Sequence, residues 1–365
     1  MKQYHNILVN ALVNLGDVVL TTSAVALLKR AYPKAKVTML VKPAVKQAVM
    51  NNPMIDQVIV FDYRRKEHVW KKMWQMVQQL KKQNFDLSIS FDRKLRPALL
   101  CWLARIPVRV GPDRVFDDNT SRVTWLYTHI VHIAHDLDRT LQRETYQEII
   151  RGFTGIQGHA MPVMARIEER NRKKAEQLLS ALPRAKKYIA LCVKGTFPLK
   201  TWPKDYFASL VKSLSERYEA SFFVVGAPGD KPYAQEVIQA VDEACGHSLR
   251  IGNYCGATTL PDLAAIIGKS SLFVTVDTGA THVAATTGTP MVVMYGCTHP
   301  NRWHPASEKA HVLTSDEPCS PCTCREDECP SNPRPDCLWH VTPEMVFEAC
   351  REILDADRGK DCGGI

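Results

Sequence analysis

Three short loops hold most of the chemistry this sequence offers. In the first, Gly16 and Asp17 follow the apolar run Ile7–Leu12. A carboxylate at the carboxyl end of a strand can take a proton as a general base when it stays ionised and within hydrogen-bond reach. The second, KGTFPLKTWP over 194–203, follows the run Tyr188–Val193 and combines Gly195 with Lys194 and Lys200. Close backbone approach and two ammonium groups suit a phosphate; a purely structural lysine loop is the other reading. It is not a Walker loop, because the G-x-x-x-x-G-K-[ST] spacing is missing. The third lies in LFVTVDTGATHVAATTGTPMVVMYG, residues 272–296. Leu272–Val276 reads as a buried strand, and Asp277, Thr278 and Gly279 turn the chain into a small-residue helix carrying His282 one turn on. Unpaired N–H groups at such a turn favour an anion. A plain turn capped by Asp or Thr has the same pattern. A further turn, Gly226–Asp230, adds a carboxylate at Asp230.

Two clusters invite a metal reading. Cys319, Cys322, Cys324, Cys329 and Cys337 fall in a Pro-rich stretch whose spacing permits a tetrahedral thiolate site with one cysteine to spare. Reduced structural thiols are the alternative, and disulfides are disfavoured in a cytosolic chain. Cys101, Cys192, Cys245, Cys255 and Cys297 read as scattered buried thiols. His129, His132 and His135 would share a face if helical, and otherwise read as surface or interdomain histidines.

These loops need strands to hold them. Short apolar runs alternate with helix-period segments from Ile7 onward, which is the rhythm of βαβ units and a parallel sheet. A Gly-rich stretch at 155–162 interrupts the alternation, which then restarts. The chain of 365 residues exceeds what one core usually fills, so two domains are expected. Their spans are 1–160 and 161–340, with a final helix and tail at 341–365 whose apolar stripe is expected to pack on a domain face. Lys66–Lys82 carries Val69, Met73, Met76, Val77 and Leu80 at helical spacing, with Trp70 and Trp74 widening the apolar stripe; core packing is the favoured reading and a membrane-dipping face the other.

Apolar content of 45% and charged content of 23% are ordinary for a globular chain. No apolar run reaches the length of a spanning helix, and the N-terminal apolar region is interrupted by Asn10, Asn14 and Asp17, unlike a signal peptide. A cytosolic protein is expected. The formal charge of +9 asks for an anionic partner. Between Asp62 and Arg96 ten Lys or Arg face four acids, without any nucleic-acid-binding signature, so an anionic lipid surface or phosphorylated glycan is favoured over a nucleic-acid polymer.

The motifs Leu15-Gly16-Asp17-Val18-Val19-Leu20-Thr21-Thr22, Lys200-Thr201-Trp202-Pro203, Asp277-Thr278-Gly279-x-x-His282-x-Ala284-Ala285, Gly288-Thr289-Pro290 and Pro300-x-Arg302-Trp303 form an ordered set. In order and spacing the set resembles that of the lipopolysaccharide heptosyltransferases, glycosyltransferase family 9, over nearly the whole chain. The resemblance implies an α/β, GT-B fold of two Rossmann-like domains facing a central cleft, with the C-terminal helix of 341–365 packing back toward the first domain. It also implies the donor ADP-L-glycero-D-manno-heptose, inversion at the anomeric carbon, and neither cofactor nor catalytic metal. Asp17 would then be the general base. Lys200 and the Thr278–Gly279 backbone would stabilise the departing diphosphate. Asp277 and His282 would fix that loop or touch phosphate or sugar, and Asp230 would meet the ribose hydroxyls. Lys194 stands where members commonly show His-Pro-Gly, and reads as an extra phosphate contact or the mark of another donor. Gly16, Arg64, Arg93 and Arg96 would meet an anionic glycolipid acceptor, with peripheral contact at the cytoplasmic face of the inner membrane. A related group of protein heptosyltransferases binds iron through a cysteine motif, which keeps a structural Zn or Fe open for the cysteine stretch. The alternatives are a protein acceptor, another nucleotide-sugar, or a non-catalytic nucleotide-sugar-binding module.

Overall fold

The computed structural model describes residues 2–63, 69–116, 119–246, 249–322, 328–331 and 334–361, the side chains of 357–361 excepted. It divides into two compact units, Met1–Arg166 and Ile167–Ile365, a few residues beyond the linker expected at 155–162. Gly155 caps the helix before that stretch in the left-handed conformation, φ 74°, where glycine has no Cβ penalty.

In the first unit the strands are β1 (Asn6–Ala11), β2 (Lys36–Val41), β3 (Gln57–Val60), β4 (Leu87–Ser90), β5 (Val108–Pro112) and β6 (His129–Val131). Every pairing is parallel, in the order β3-β2-β1-β4-β5-β6. Parallel strands are covered on both faces, which is why almost every residue of β1, β2 and β4 is buried, including the small polar Ser88 and Ser90. The helices are α1 (Leu15–Ala31), α2 (Lys46–Val49), α3 (Val69–Lys82), α4 (Leu95–Leu103) and α5 (Gln142–Thr154).

Three sequence expectations change here. The first helix begins at Leu15, so Gly16 and Asp17 lie inside its first turn, where the helix dipole favours an acid. The stripe of α3 is narrower than expected: Met73, Met76, Val77 and Leu80 are buried while Trp70 and Trp74 project into solvent. The histidines share no helix face, because His129 is on β6; His132 Nδ1 lies 3.0 Å from Asp113 and His135 Nε2 lies 2.9 Å from the Thr145 hydroxyl.

The second unit repeats the topology. Its strands are β7 (Lys187–Cys192), β8 (Ala220–Val224), β9 (Gly252–Asn253), β10 (Leu272–Val276), β11 (Met291–Met294) and β12 (Ala310–Leu313), in the parallel order β12-β11-β10-β7-β8-β9. The short strand expected at 249–251 forms instead at Gly252–Asn253. The helices are α6 (Glu169–Ser180), α7 (Lys204–Arg217), α8 (Lys231–Ala244), α9 (Leu260–Ile267), α10 (Gly279–Ala285), α11 (Pro300–Trp303), α12 (Asp336–Trp339) and α13 (Pro343–Asp361). The apolar stripe of α13 packs in the core of the second unit: Val346, Ala349, Cys350 and Leu354 are buried there, and the helix lies against α7. Among the described residues no helix is long and apolar enough to cross a membrane.

Candidate functional site

In an open parallel sheet, ligands gather beyond the carboxyl ends of the strands where the order reverses direction. Both units have such a switch point, between β1 and β4 in the first and between β7 and β10 in the second. The loops picked out by chemistry follow these strands.

In the second unit, the loop after β7 carries Lys200 at the end of a 3₁₀ turn, Pro198–Lys200. Its position is set by buried neighbours. Leu199 is fully buried, and Trp202 lies in the core against Phe207, with ring centroids 4.8 Å apart at 89°. Trp202 Nε1 donates to the Val341 carbonyl at 2.8 Å, and the Tyr233 hydroxyl donates to the Trp202 carbonyl at 2.8 Å. Gly195 lets this loop close on itself: a Cβ there would stand 2.3 Å from Lys200 Cβ and 2.5 Å from the Lys200 carbonyl oxygen.

Beyond β10, Asp277 Oδ2 accepts from Lys200 Nζ at 2.5 Å and from the Thr298 hydroxyl at 2.7 Å. Three segments therefore converge on one buried carboxylate. Thr281 holds the turn between β10 and α10, donating from its hydroxyl to the Val276 carbonyl at 3.1 Å. Gly279 and Ala280 occupy the first positions of α10, where N–H groups have no intrahelical acceptor. His282, expected to fix this loop or touch phosphate or sugar, packs inside the second unit. It is buried, its Nδ1 has no hydrogen-bond partner among the described residues, and desolvation holds it neutral with a pKa lowered to about 4 against the opposing pull of Asp277. Lys194 and Asp230 come together, Nζ to Oδ1 at 3.9 Å, while Asp230 Oδ2 accepts from the Ala227 N–H at 2.8 Å. Asp230 thus closes its own turn as well as facing Lys194.

The cysteine stretch packs beside the Lys200 loop. Cys297 and Cys337 are buried with Leu199, and Cys322, Cys329 and Phe197 pack around them. Cys297, expected to be a scattered thiol, joins this cluster and accepts a hydrogen bond from the Cys322 N–H at 3.0 Å. Burial pushes the Cys297 thiol up to about 11 and the Cys337 thiol up to about 12, so both stay protonated at neutral pH. Cys319 is exposed, and Cys324 lies outside the described residues. Among the described residues no three or more His, Cys, Asp or Glu are arranged to hold a metal ion, so the zinc or iron reading finds no ligand set there.

In the first unit, Asp17 Oδ1 accepts from the Tyr146 hydroxyl at 2.7 Å. Tyr146 is fully buried on α5, its ring edge-on to Phe91 with centroids 5.5 Å apart. Beyond β4 stands Asp92, a buried carboxyl raised above the usual range chiefly by desolvation. It borders a cavity of about 760 Å³ whose wall includes Arg93, Lys94, Asn119, Ser121 and Arg122. The predicted acceptor residues are thereby separated. Arg93 lines this cavity and donates to the Asn119 carbonyl at 3.2 Å, whereas the Arg96 guanidinium stacks 4.2 Å from the Tyr63 ring centroid. Gly16 stands beside Asp17 in the first turn of α1, and Arg64 lies outside the described residues.

Sequence reasoning missed Tyr146, Thr298 and Asp92. Asp92 has a readable signal, since it follows a predicted strand as Asp17 does. Tyr146 sits 129 residues from Asp17 within an ordinary amphipathic helix, and nothing local marks it.

A sequence model described as glycosyltransferase family 9 (heptosyltransferase) matches residues 73–332. The lipopolysaccharide heptosyltransferase 3 of Escherichia coli strain K12 is 26% identical over 301 residues, covering 80% of this chain and 83% of that protein. Among solved structures, a glycosyl transferase family 9 protein from Veillonella parvula superimposes with a TM-score of 0.81 at 22% identity, covering 97% of this chain and 98% of that one. The ADP-heptose lps heptosyltransferase II of E. coli gives 0.78 at 21% identity, covering 97% and 99%.

Proposed function

This chain belongs to glycosyltransferase family 9, the heptosyltransferases, with the α/β architecture of GT-B enzymes, and on that premise we propose that it transfers heptose from ADP-L-glycero-D-manno-heptose to the inner core of lipopolysaccharide. The observation that supports the reading most is the convergence of Lys200, Thr298 and Asp277 at the switch point of the second unit. Asp277 orients the ammonium group of Lys200, and the Thr298 hydroxyl helps hold that carboxylate, so the cation is preorganised for the diphosphate. The Gly279 N–H at the start of α10 is offered to the same oxygens, while the Thr278 N–H meets the Thr281 hydroxyl at 3.4 Å.

The proton chemistry belongs to the first unit. Asp17 accepts the proton of an acceptor hydroxyl, the freed oxygen attacks the anomeric carbon, and the bond from that carbon to the diphosphate oxygen breaks. ADP departs carrying the negative charge that Lys200 stabilises. The Tyr146 hydroxyl orients Asp17 and favours its ionised form. The cavity bordered by Arg93, Lys94 and Arg122 is suited to an acidic sugar or phosphate of the acceptor. The neutral His282 ring supports the donor loop from inside as a packed imidazole.

The deciding experiment pairs two variants. Asp17→Ala is expected to lower transfer by a factor of about 10² or more, with ADP affinity in calorimetry unchanged. Lys200→Ala should weaken ADP itself. Normal turnover by Asp17→Ala would sink the mechanism. A panel of nucleotide-sugars against a lipopolysaccharide-core acceptor and a protein acceptor tests the donor and acceptor, and absence of turnover with every pair would indicate a binding module.

A further inference from the structure

Four of the seven tryptophans project into solvent, all in the first unit: Trp70 is 82% exposed, Trp125 66%, Trp74 58% and Trp102 45%. Each forgoes the transfer free energy that burial would supply, and large apolar groups gathered in one place mark an interaction surface. They are gathered. Trp70 and Trp74 stand one turn apart on α3, and Trp102 is on α4. Both helices contribute to one core layer with Leu8, Leu40 and Ile59 of the sheet, so they cover the same sheet face and their outer sides point the same way. Val123 and Leu126 pack on Ala98 of α4, which brings Trp125 to an edge-on contact with Trp102, centroids 6.4 Å apart. Leu95, at the start of α4, is also exposed.

Within α3, α4 and the turn the charges have one sign. α3 carries Lys71, Lys72, Lys81 and Lys82 and no acid, α4 carries Arg96 and no acid, and the 3₁₀ turn Thr124–Leu126 follows Arg122. Lys81 Nζ lies 5.7 Å from the Trp74 ring centroid, so cation and aromatic ring share the surface.

We propose that α3, α4 and the turn at Thr124–Leu126 form a docking face for a bilayer with anionic headgroups. Trp70, Trp74, Trp102 and Trp125 would enter the interfacial layer, with the lysines against the headgroups. Tryptophan seeks that layer because its ring is apolar and its N–H is not, and basic residues add attraction to anionic lipid. The inner stripe of α3 stays in the core, so the face docks as folded. A second copy of the chain fits it less well, since the same positive charge would meet itself. The proposal deepens the glycolipid-acceptor reading, because such an acceptor lies in a membrane, but its observations are independent of the donor site.

The test uses the full-length protein and vesicles of phosphatidylcholine, alone or mixed with phosphatidylglycerol. Cosedimentation should favour the mixed vesicles, weaken with salt, and move tryptophan emission to the blue. Trp70→Ser combined with Trp74→Ser should lower partitioning by about tenfold or more while the circular dichroism and thermal unfolding of the protein stay at their wild-type values, which shows that the variant is folded. Equal partitioning of variant and wild type, or no preference for the anionic vesicles, overturns the proposal. If wild type ignores vesicles and the substitutions instead turn a dimer into a monomer in sedimentation, the partner is a second copy and the proposal is likewise overturned. A wild-type protein that docks on vesicles but never binds ADP would refute the transferase reading and leave the docking face standing.

Discussion

His282 is buried beside Asp277 and Lys200 with its pKa lowered to about 4, while the unfolded chain holds the same ring near its ordinary 6.5. Between those values the unfolded state binds more protons than the folded one, so the contribution to stability is complete above pH 6.5 and is lost as the pH falls toward 4. Its size is up to about 3 kcal/mol. Denaturant unfolding of wild type and His282→Gln across this window should give a steeper pH dependence for the wild type; parallel curves would contradict the assignment. Tyr146 offers a second residue-scale test. Tyr146→Phe keeps the ring against Phe91 and removes only the hydroxyl donated to Asp17 at 2.7 Å. Hydrogen bonds to charged groups contribute about 1.5–3 kcal/mol, and this one favours the carboxylate. We expect kcat to fall about tenfold, with the acid limb of its pH profile moved to higher pH, and thermal stability nearly unchanged. An unmoved limb would make Tyr146 a packing residue alone.

The element that places Lys200 is a short turn held at both ends by buried groups, Leu199 before it in the turn and Trp202 after it. Gly195 permits the close return of the chain over that turn, with only 2.3 Å available to a Cβ before Lys200 Cβ. Crowding of this kind costs about 1–3 kcal/mol when backbone must move. Gly195→Ala should therefore weaken ADP about tenfold by displacing Lys200, without touching Asp17; calorimetric titration showing wild-type affinity would mean that the loop yields freely. The motif was legible because glycine, lysine and tryptophan are local signals. The support beneath it was not, since Cys297, Cys322 and Cys337 reach Leu199 from segments roughly a hundred residues and more away. The tryptophans of α3 show the reverse: helical period placed them on the apolar stripe, but the core takes in Met73, Met76, Val77 and Leu80, with Val69 partly buried beside them, and leaves both rings in solvent.

Each unit of the molecule has its own six-stranded sheet and its own core, and the residues proposed to hold the donor all lie in the second. Ligand that binds one folded unit stabilises that unit by mass action, about 2.7 kcal/mol at a hundredfold excess over Kd. ADP should thus raise the unfolding transition reported by probes in the second unit more than that of the first, as read by calorimetry with fluorescence. A uniform shift would mean that the units unfold together. The sequence by itself determined the alternation of strands and helices, the two-unit plan, and the loops with Asp17, Lys200 and Asp277, because strand runs, glycine turns and charged loop residues are encoded within a few residues of one another. Only the tertiary structure decided that Thr298 joins Lys200 on Asp277, that Tyr146 holds Asp17, that His282 is buried without charge, and that α13 completes the second core. Those outcomes depend on which strands become neighbours and how much water is excluded between them, and both are properties of the assembled sheet.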